Sequence, residues 1–271
     1  MTTPSTASLS YRISTSIGHD EGRDETGGPA VSLPTIPRPT RTDLLVDDVV
    51  TAAAAAGRTR RRVVLLVLTL TLGPALGAAL AFLGPPAERT FAVVQGTTQL
   101  VISVLLPLVG ILLAADVRRA GATSVVPTCL AAAAIAVKVA VIGLLVAVVA
   151  TSAAPGITPG RWDGAASPAV GGVVVQVVCV LSGVGLGLLL TRPWVAFVAS
   201  AAVPLGLYAA LRAVPPLHGA RDWLTPYASA QHLLSGATTP VNWAQAAVVF
   251  LLWGVALPVV ATARVRQRGV S

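Results

Sequence analysis

Charge is scarce in this sequence. Only 11% of its 271 residues are Asp, Glu, Lys or Arg, where soluble domains carry about 25%. A water-soluble domain with so few charges would leave broad apolar patches in solvent, so that class is excluded. Lysine is scarcer still: Lys138 is the only one, and eighteen arginines supply the rest of the basic charge. Aromatics make up just 4%. The net charge of +8 therefore does not describe a nucleic-acid surface, because the arginines flank apolar blocks and form no basic face with interleaved aromatics. The two cysteines, Cys129 and Cys179, lie in or beside apolar stretches. They offer neither a disulfide framework nor a metal site, and they read as small buried hydrophobes.

Catalytic constellations are missing as well. No Gly-rich loop ends in Gly-Lys-Ser/Thr, so the chain has no ATPase motif of its own. A membrane-embedded hydrolase needs a nucleophile, a base and an oxyanion-stabilising loop. The nearest approach is His218 or His232 with Asp222, in a loop where histidines are ordinarily just solvated. Two histidines and one aspartate are also too sparse for a metal site. No catalytic residue and no metal ligand is named.

What the chain has in abundance is apolar length. It is 54% hydrophobic, with a mean hydropathy of +0.78. Six apolar runs stand at 63–83, 91–115, 130–152, 170–190, 194–214 and 244–263. Each is long enough to cross about 30 Å of hydrocarbon. The expected fold is an all-α membrane protein with six transmembrane helices. Pro74, Pro107, Pro204 and Pro258 fall inside the runs and predict kinks.

Arginine placement predicts orientation. With the N-terminus inside, the inner flanks hold Arg58, Arg60, Arg61, Arg62, Arg118, Arg119, Arg192, Arg264, Arg266 and Arg268. The outer flanks hold only Arg89, Arg161, Arg212 and Arg221. By the positive-inside rule both termini are expected in the cytoplasm, in a multi-pass protein of the cell membrane.

Residues 1–41 are rich in Thr, Ser, Pro and Gly and are expected to form a disordered cytoplasmic tail. No apolar core follows the initiating methionine, so a cleaved signal peptide is not expected. In "TDLLVDDVVTAAAAAG", Leu45, Val46, Val49 and Val50 form one stripe opposite Asp43, Asp47 and Asp48. This predicts an amphipathic helix at the membrane surface or against a partner, followed by "RTRRR"; together they make up 42–62. The six-helix domain then covers 63–263, and 264–271 is a basic tail. The longest connection, 215–243, mixes Trp223, Tyr227 and Trp243 with Leu233 and Leu234. It predicts one or two short helices at the outer interface.

Polar residues inside the spans are few. Gln95 and Gln99 share a face of the second run, and Gln176 lies at a similar depth in the fourth. Interhelical hydrogen bonds, worth about 1 kcal/mol or less each, are the first reading. The second is the lining of an outward-facing vestibule. The first is preferred because polarity near the interface is inexpensive. Gly73 with Gly77, and Gly183 with Gly187, permit close helix approach within a protomer or across a dimer.

Lys138 stands in "LAAAAIAVKVAVIG". With the third span starting near 130, it is two turns in, about 12 Å, and its stem can snorkel to the inner headgroups. Just before it, Asp116, Arg118 and Arg119 mark the inner surface, and "RRAGATSVV" predicts a short helix that Pro127 ends.

This arrangement resembles the membrane subunits of type-2 ABC exporters. They carry after the second span an acidic residue, Gly-Thr, a short coupling helix, a Pro, and a Lys as the third span enters the membrane. Asp116, Gly121, Pro127 and Lys138 match in order, with Ala122 in place of Thr and Asp where Glu is commoner. The outer "LTPYASAQHLLSG" and the tail "RVRQRGVS" extend the resemblance over 58–271, while the tight first outer turn "GPPAER" departs from it. The resemblance implies a permease without catalytic residues. Its 116–126 turn would dock into a separate cytoplasmic ATPase that uses ATP, so no cofactor binds the chain directly. The helix at 43–56 would be an elbow before the first span. A second permease protomer, identical or not, completes the assembly in the bilayer. The alternative is a polytopic membrane protein that scaffolds or regulates partners without transport.

Overall fold

The computed structural model describes residues 60–120, 125–156 and 159–268. The N-terminal tail and the amphipathic helix expected at 42–57 lie outside the described residues. No strand occurs among those described. The reason is chemical: these segments are apolar around their whole circumference, and in hydrocarbon a lone segment satisfies its backbone only as a helix.

The first helix, α1 (Arg60–Leu83), leads through a 3-10 turn at Pro86–Glu88 into α2 (Phe91–Arg119). Then follow α3 (Val126–Ala153), α4 (Ala166–Leu189) and α5 (Pro193–Ala213). After a second 3-10 turn (Pro215–Leu217) come two short helices, α6 (His218–Leu224) and α7 (Pro226–Leu234), in the connection where short helices are expected. The last crossing has three parts: α8 (Pro240–Val249), a π-helical segment (Phe250–Ala256) and α9 (Leu257–Arg268). Six helical crossings are long and apolar enough to span a membrane.

Prolines set several of these boundaries. The third crossing starts at Val126, four residues before the expected 130, because Pro127 lies in its first turn. There a proline has no helical N–H partner to lose and its fixed φ suits the helix, so Pro127 opens α3; the short helix expected in "RRAGATSVV" falls largely on 121–124, outside the described residues. Pro193, Pro226 and Pro240 open α5, α7 and α8 in the same way. A capping box between Thr239 and Asn242 secures the start of α8.

Inside the crossings, Pro74, Pro107 and Pro204 are absorbed into continuous α-helix. Pro258 is different. The Leu257 N–H bonds to Leu252 O, five residues back. In that register the Trp253 carbonyl looks to the N–H of residue 258, which proline lacks. The Ser182 hydroxyl donates to Trp253 O at 3.3 Å and fills the gap.

The core forms where glycines let helices close in. A Cβ on Gly183 would overlap the Pro107 carbonyl, and one on Gly110 would overlap Val180 O. One on Gly187 would come within 2.8 Å of Ala114 Cβ. So α2 and α4 meet backbone to backbone, around buried Ile102, Leu106, Val180 and Val184. Gly73 and Gly77 do the same for α1 against Ile102 and Thr98 of α2. Both glycine pairs singled out in the sequence serve contacts within one protomer.

Candidate functional site

Three places in this frame carry chemistry. The first is the arginine-rich end, where α1 begins and α2 ends. The Arg62 side chain is buried, donates to the Leu112 carbonyl at 3.0 Å and pairs with Asp116. Arg119 pairs with the other oxygen of Asp116 yet stays 70% exposed. Arg118 donates to the carbonyls of Leu190 and Thr191, the latter at 3.2 Å. These belong to the end of α4, where a helix leaves carbonyls open and favours positive charge. The last turn of α2 is thereby tied to α1 on one side and to the α4–α5 junction on the other.

Of the residues expected at a coupling turn, Asp116, Arg118 and Arg119 come together here. Gly121 lies outside the described residues, and Pro127 opens α3. Lys138 stands apart, further along the span. Because α3 begins at Val126, Lys138 is about 18 Å from its start, deeper than expected. It is exposed on the outside of the bundle and makes no hydrogen bond or ion pair with a described residue. The structure adds Arg62. Nothing in "RTRRR" distinguishes it from its neighbours; the helical register of α1 turns its guanidinium inward.

The second place is the glutamine cluster. Gln95, Gln99 and Gln176 are all completely buried. Gln99 donates through Nε2 to the Ala140 carbonyl at 3.1 Å, on α3. Gln176 donates through Nε2 to Gln99 Oε1 at 2.9 Å and to the Gln99 carbonyl at 2.7 Å. The bonds join α2, α3 and α4, and Gly143 and Gly172 leave room for the Gln99 side chain. The Gln95 amide, Gln176 Oε1 and the Thr151 hydroxyl take no hydrogen bond from described residues. Buried polar atoms of this kind are where internal water is usually held. None of the three glutamines faces the cavity described next.

The third place is a cavity of about 400 Å³ enclosed by α2, α4, α5, α7 and α8. It lies near the middle of the crossings, between Val104 and Pro107 of α2 and Val178 of α4. Four serines touch it, yet three donate to helix carbonyls: Ser103 to Leu100, Ser182 to Trp253 and Ser200 to Phe197. Apart from Ser229 and Tyr227, the wall left over is apolar. Its mouth is marked by lining residues that remain open to the surroundings, Val104 at 62% and Leu205 at 48%.

On the α7 side the cavity is lined by Tyr227, whose ring leads to a polar cluster outside the lining. Tyr227 meets Tyr208 edge-on at 5.0 Å, and the Arg221 guanidinium lies 5.5 Å above the Tyr208 ring. Arg221 donates to Asp222 at 2.8 Å, and that bond pushes its pKa above the ordinary arginine value. His232 stands 4.0 Å from the same carboxylate, beyond hydrogen-bond reach, and His218 Nε2 is 2.7 Å from the Arg212 carbonyl. Asp222 therefore serves Arg221 and not a histidine dyad. Among the described residues, no three His, Cys, Asp or Glu side chains gather to hold a metal. The arrangement can hold an apolar molecule and carry motion from helix to helix.

Comparison with protein-family models, with curated proteins and with solved structures finds no match.

Proposed function

We propose that the chain is the permease subunit of an ATP-driven exporter, forming the translocation path and working as a dimer with a separate cytoplasmic ATPase. Both termini face the cytoplasm of the cell membrane in this reading, because ten of the fourteen span-flanking arginines then lie inside. The arginine-rich end of the bundle is accordingly the cytoplasmic end. The observation that carries the proposal is the wiring of the last turn of α2. Arg62–Asp116 joins it to α1, and Arg118 joins it to the α4–α5 junction.

A push on the 116–126 turn therefore cannot move α2 alone. It displaces α1 and the α4–α5 junction as well, and that is the property a lever needs. Arg119 is the exposed member of the cluster and is placed to meet a partner surface, while Arg62 and Arg118 transmit the load. Coupling between nucleotide closure and the membrane path then runs through one contact.

The test is co-purification of the full chain from its own membrane in mild detergent. An ATP-hydrolysing subunit is expected to accompany the wild type and to be lost with Arg119→Glu, a substitution at a side chain that is 70% exposed. If no hydrolysing subunit accompanies the wild type, the exporter reading fails and the scaffold alternative takes its place.

A further inference from the structure

We infer that the mid-span cavity binds the acyl chain of a single-tailed amphiphile drawn from the surrounding bilayer, tail among α2, α4 and α5 and head toward Tyr227 and Arg221. This goes beyond the exporter reading and stands without it. At about 400 Å³ the cavity has the size of a small-molecule site.

Three occupants compete for it. Water needs two or more polar partners, and three of the four serine hydroxyls here are already bonded to carbonyls. A helix of a second copy, about 10 Å across with its side chains, is the remaining alternative, and the experiment below separates it from a lipid tail. A flexible hydrocarbon chain fits the volume, matches the wall and has a route in. The mouth between Val104 and Leu205 opens sideways at mid-span, where acyl chains surround the protein.

The far end supplies what a head group requires. Gln231 donates to the Tyr227 hydroxyl at 3.0 Å, and the Arg221 guanidinium lies one aromatic ring further out. Asp222 faces the same guanidinium, and His232 stands 4.0 Å from that carboxylate. The loosely packed wall is α5, in which only Ala196 and Leu211 are buried. A tail can enter by displacing it without disturbing the α2–α4 contact.

Native mass spectrometry of the full chain, titrated with oleic acid in detergent, tests this and reports the oligomeric state in the same spectrum. One oleate per protomer is expected. Ala201→Trp, which fills the cavity from α5, is expected to weaken binding about tenfold or more. Val198→Trp, on the same helix but away from the cavity, is expected to leave it unchanged. Should Ala201→Trp fail to fold, Val104→Trp at the mouth repeats the experiment. No oleate adduct overturns the inference, as does equal binding by wild type and the cavity variants. A dimer that dissociates in Ala201→Trp with oleate binding intact also overturns it, because the occupant would then be a second copy.

Discussion

Helices α4 and α5 are both apolar enough to cross a membrane, with hydropathies of 2.3 and 1.8 over their most apolar stretches, yet the bundle treats them in opposite ways. In α4, 67% of that stretch is buried; in α5, 11%. Hydropathy does not account for the difference, because lipid tails are as apolar as valine or leucine. Small residues do. Within α4, Gly171, Gly172, Gly183, Gly185 and Gly187 each have a neighbour where a Cβ would stand, whereas Gly206 of α5 has none. In hydrocarbon, backbone approach and interhelical hydrogen bonds decide which helix becomes the centre. The tight side forms a frame, and the loose side encloses a cavity.

That contrast is most directly broken on the tight side. Gly183→Ala places a methyl group against the Pro107 carbonyl, where neither backbone can yield. A loss of about 3 kcal/mol or more is expected, read as thermal unfolding in detergent. Next comes the arginine end. Asp116→Asn leaves the buried Arg62 guanidinium facing an uncharged amide, but the Asp116 side chain is 44% exposed. The expected loss is about 1–2 kcal/mol, between surface and buried pairs, in the same assay. Ser182→Ala removes the donor that Pro258 made necessary at Trp253 O, at an expected loss of about 1 kcal/mol in chemical denaturation. The smallest effect belongs to the loose side. Ala201→Trp is expected to change stability by no more than about 0.5 kcal/mol, since the side chain projects into existing space. A large destabilisation there would mean that α5 is as tightly held as α4.

Much of the frame was legible in the residues. Unbroken apolar runs located all six crossings, because nothing in hydrocarbon competes with the helix. Their starts were legible only within a few residues, since proline is equally a helix opener and a breaker; Pro127 acts as the former and moves the start of α3 to Val126. Gln95, Gln99 and Gln176 were visible as a polar group, but their complete burial was not. Depth along a helix says nothing about distance from the bundle axis when every face is Ala, Val or Leu. The same uniformity hid the cavity. Arg62 was hidden among like neighbours, and the π-helical segment depends on a hydroxyl 71 residues away, which no local signal reveals.

In the exporter proposed above, the end of α2 at the exposed Arg119 meets a cytoplasmic engine. Photocrosslinking in living cells from an ultraviolet-activated residue at position 119 addresses it most directly. The expected result is capture of an ATPase with a phosphate-binding loop, lost when Arg118 is replaced by Glu and the last turn of α2 is released from the α4 end. Labelling of position 119 by a membrane-impermeant reagent from outside the cell, with no ATPase captured, would contradict it.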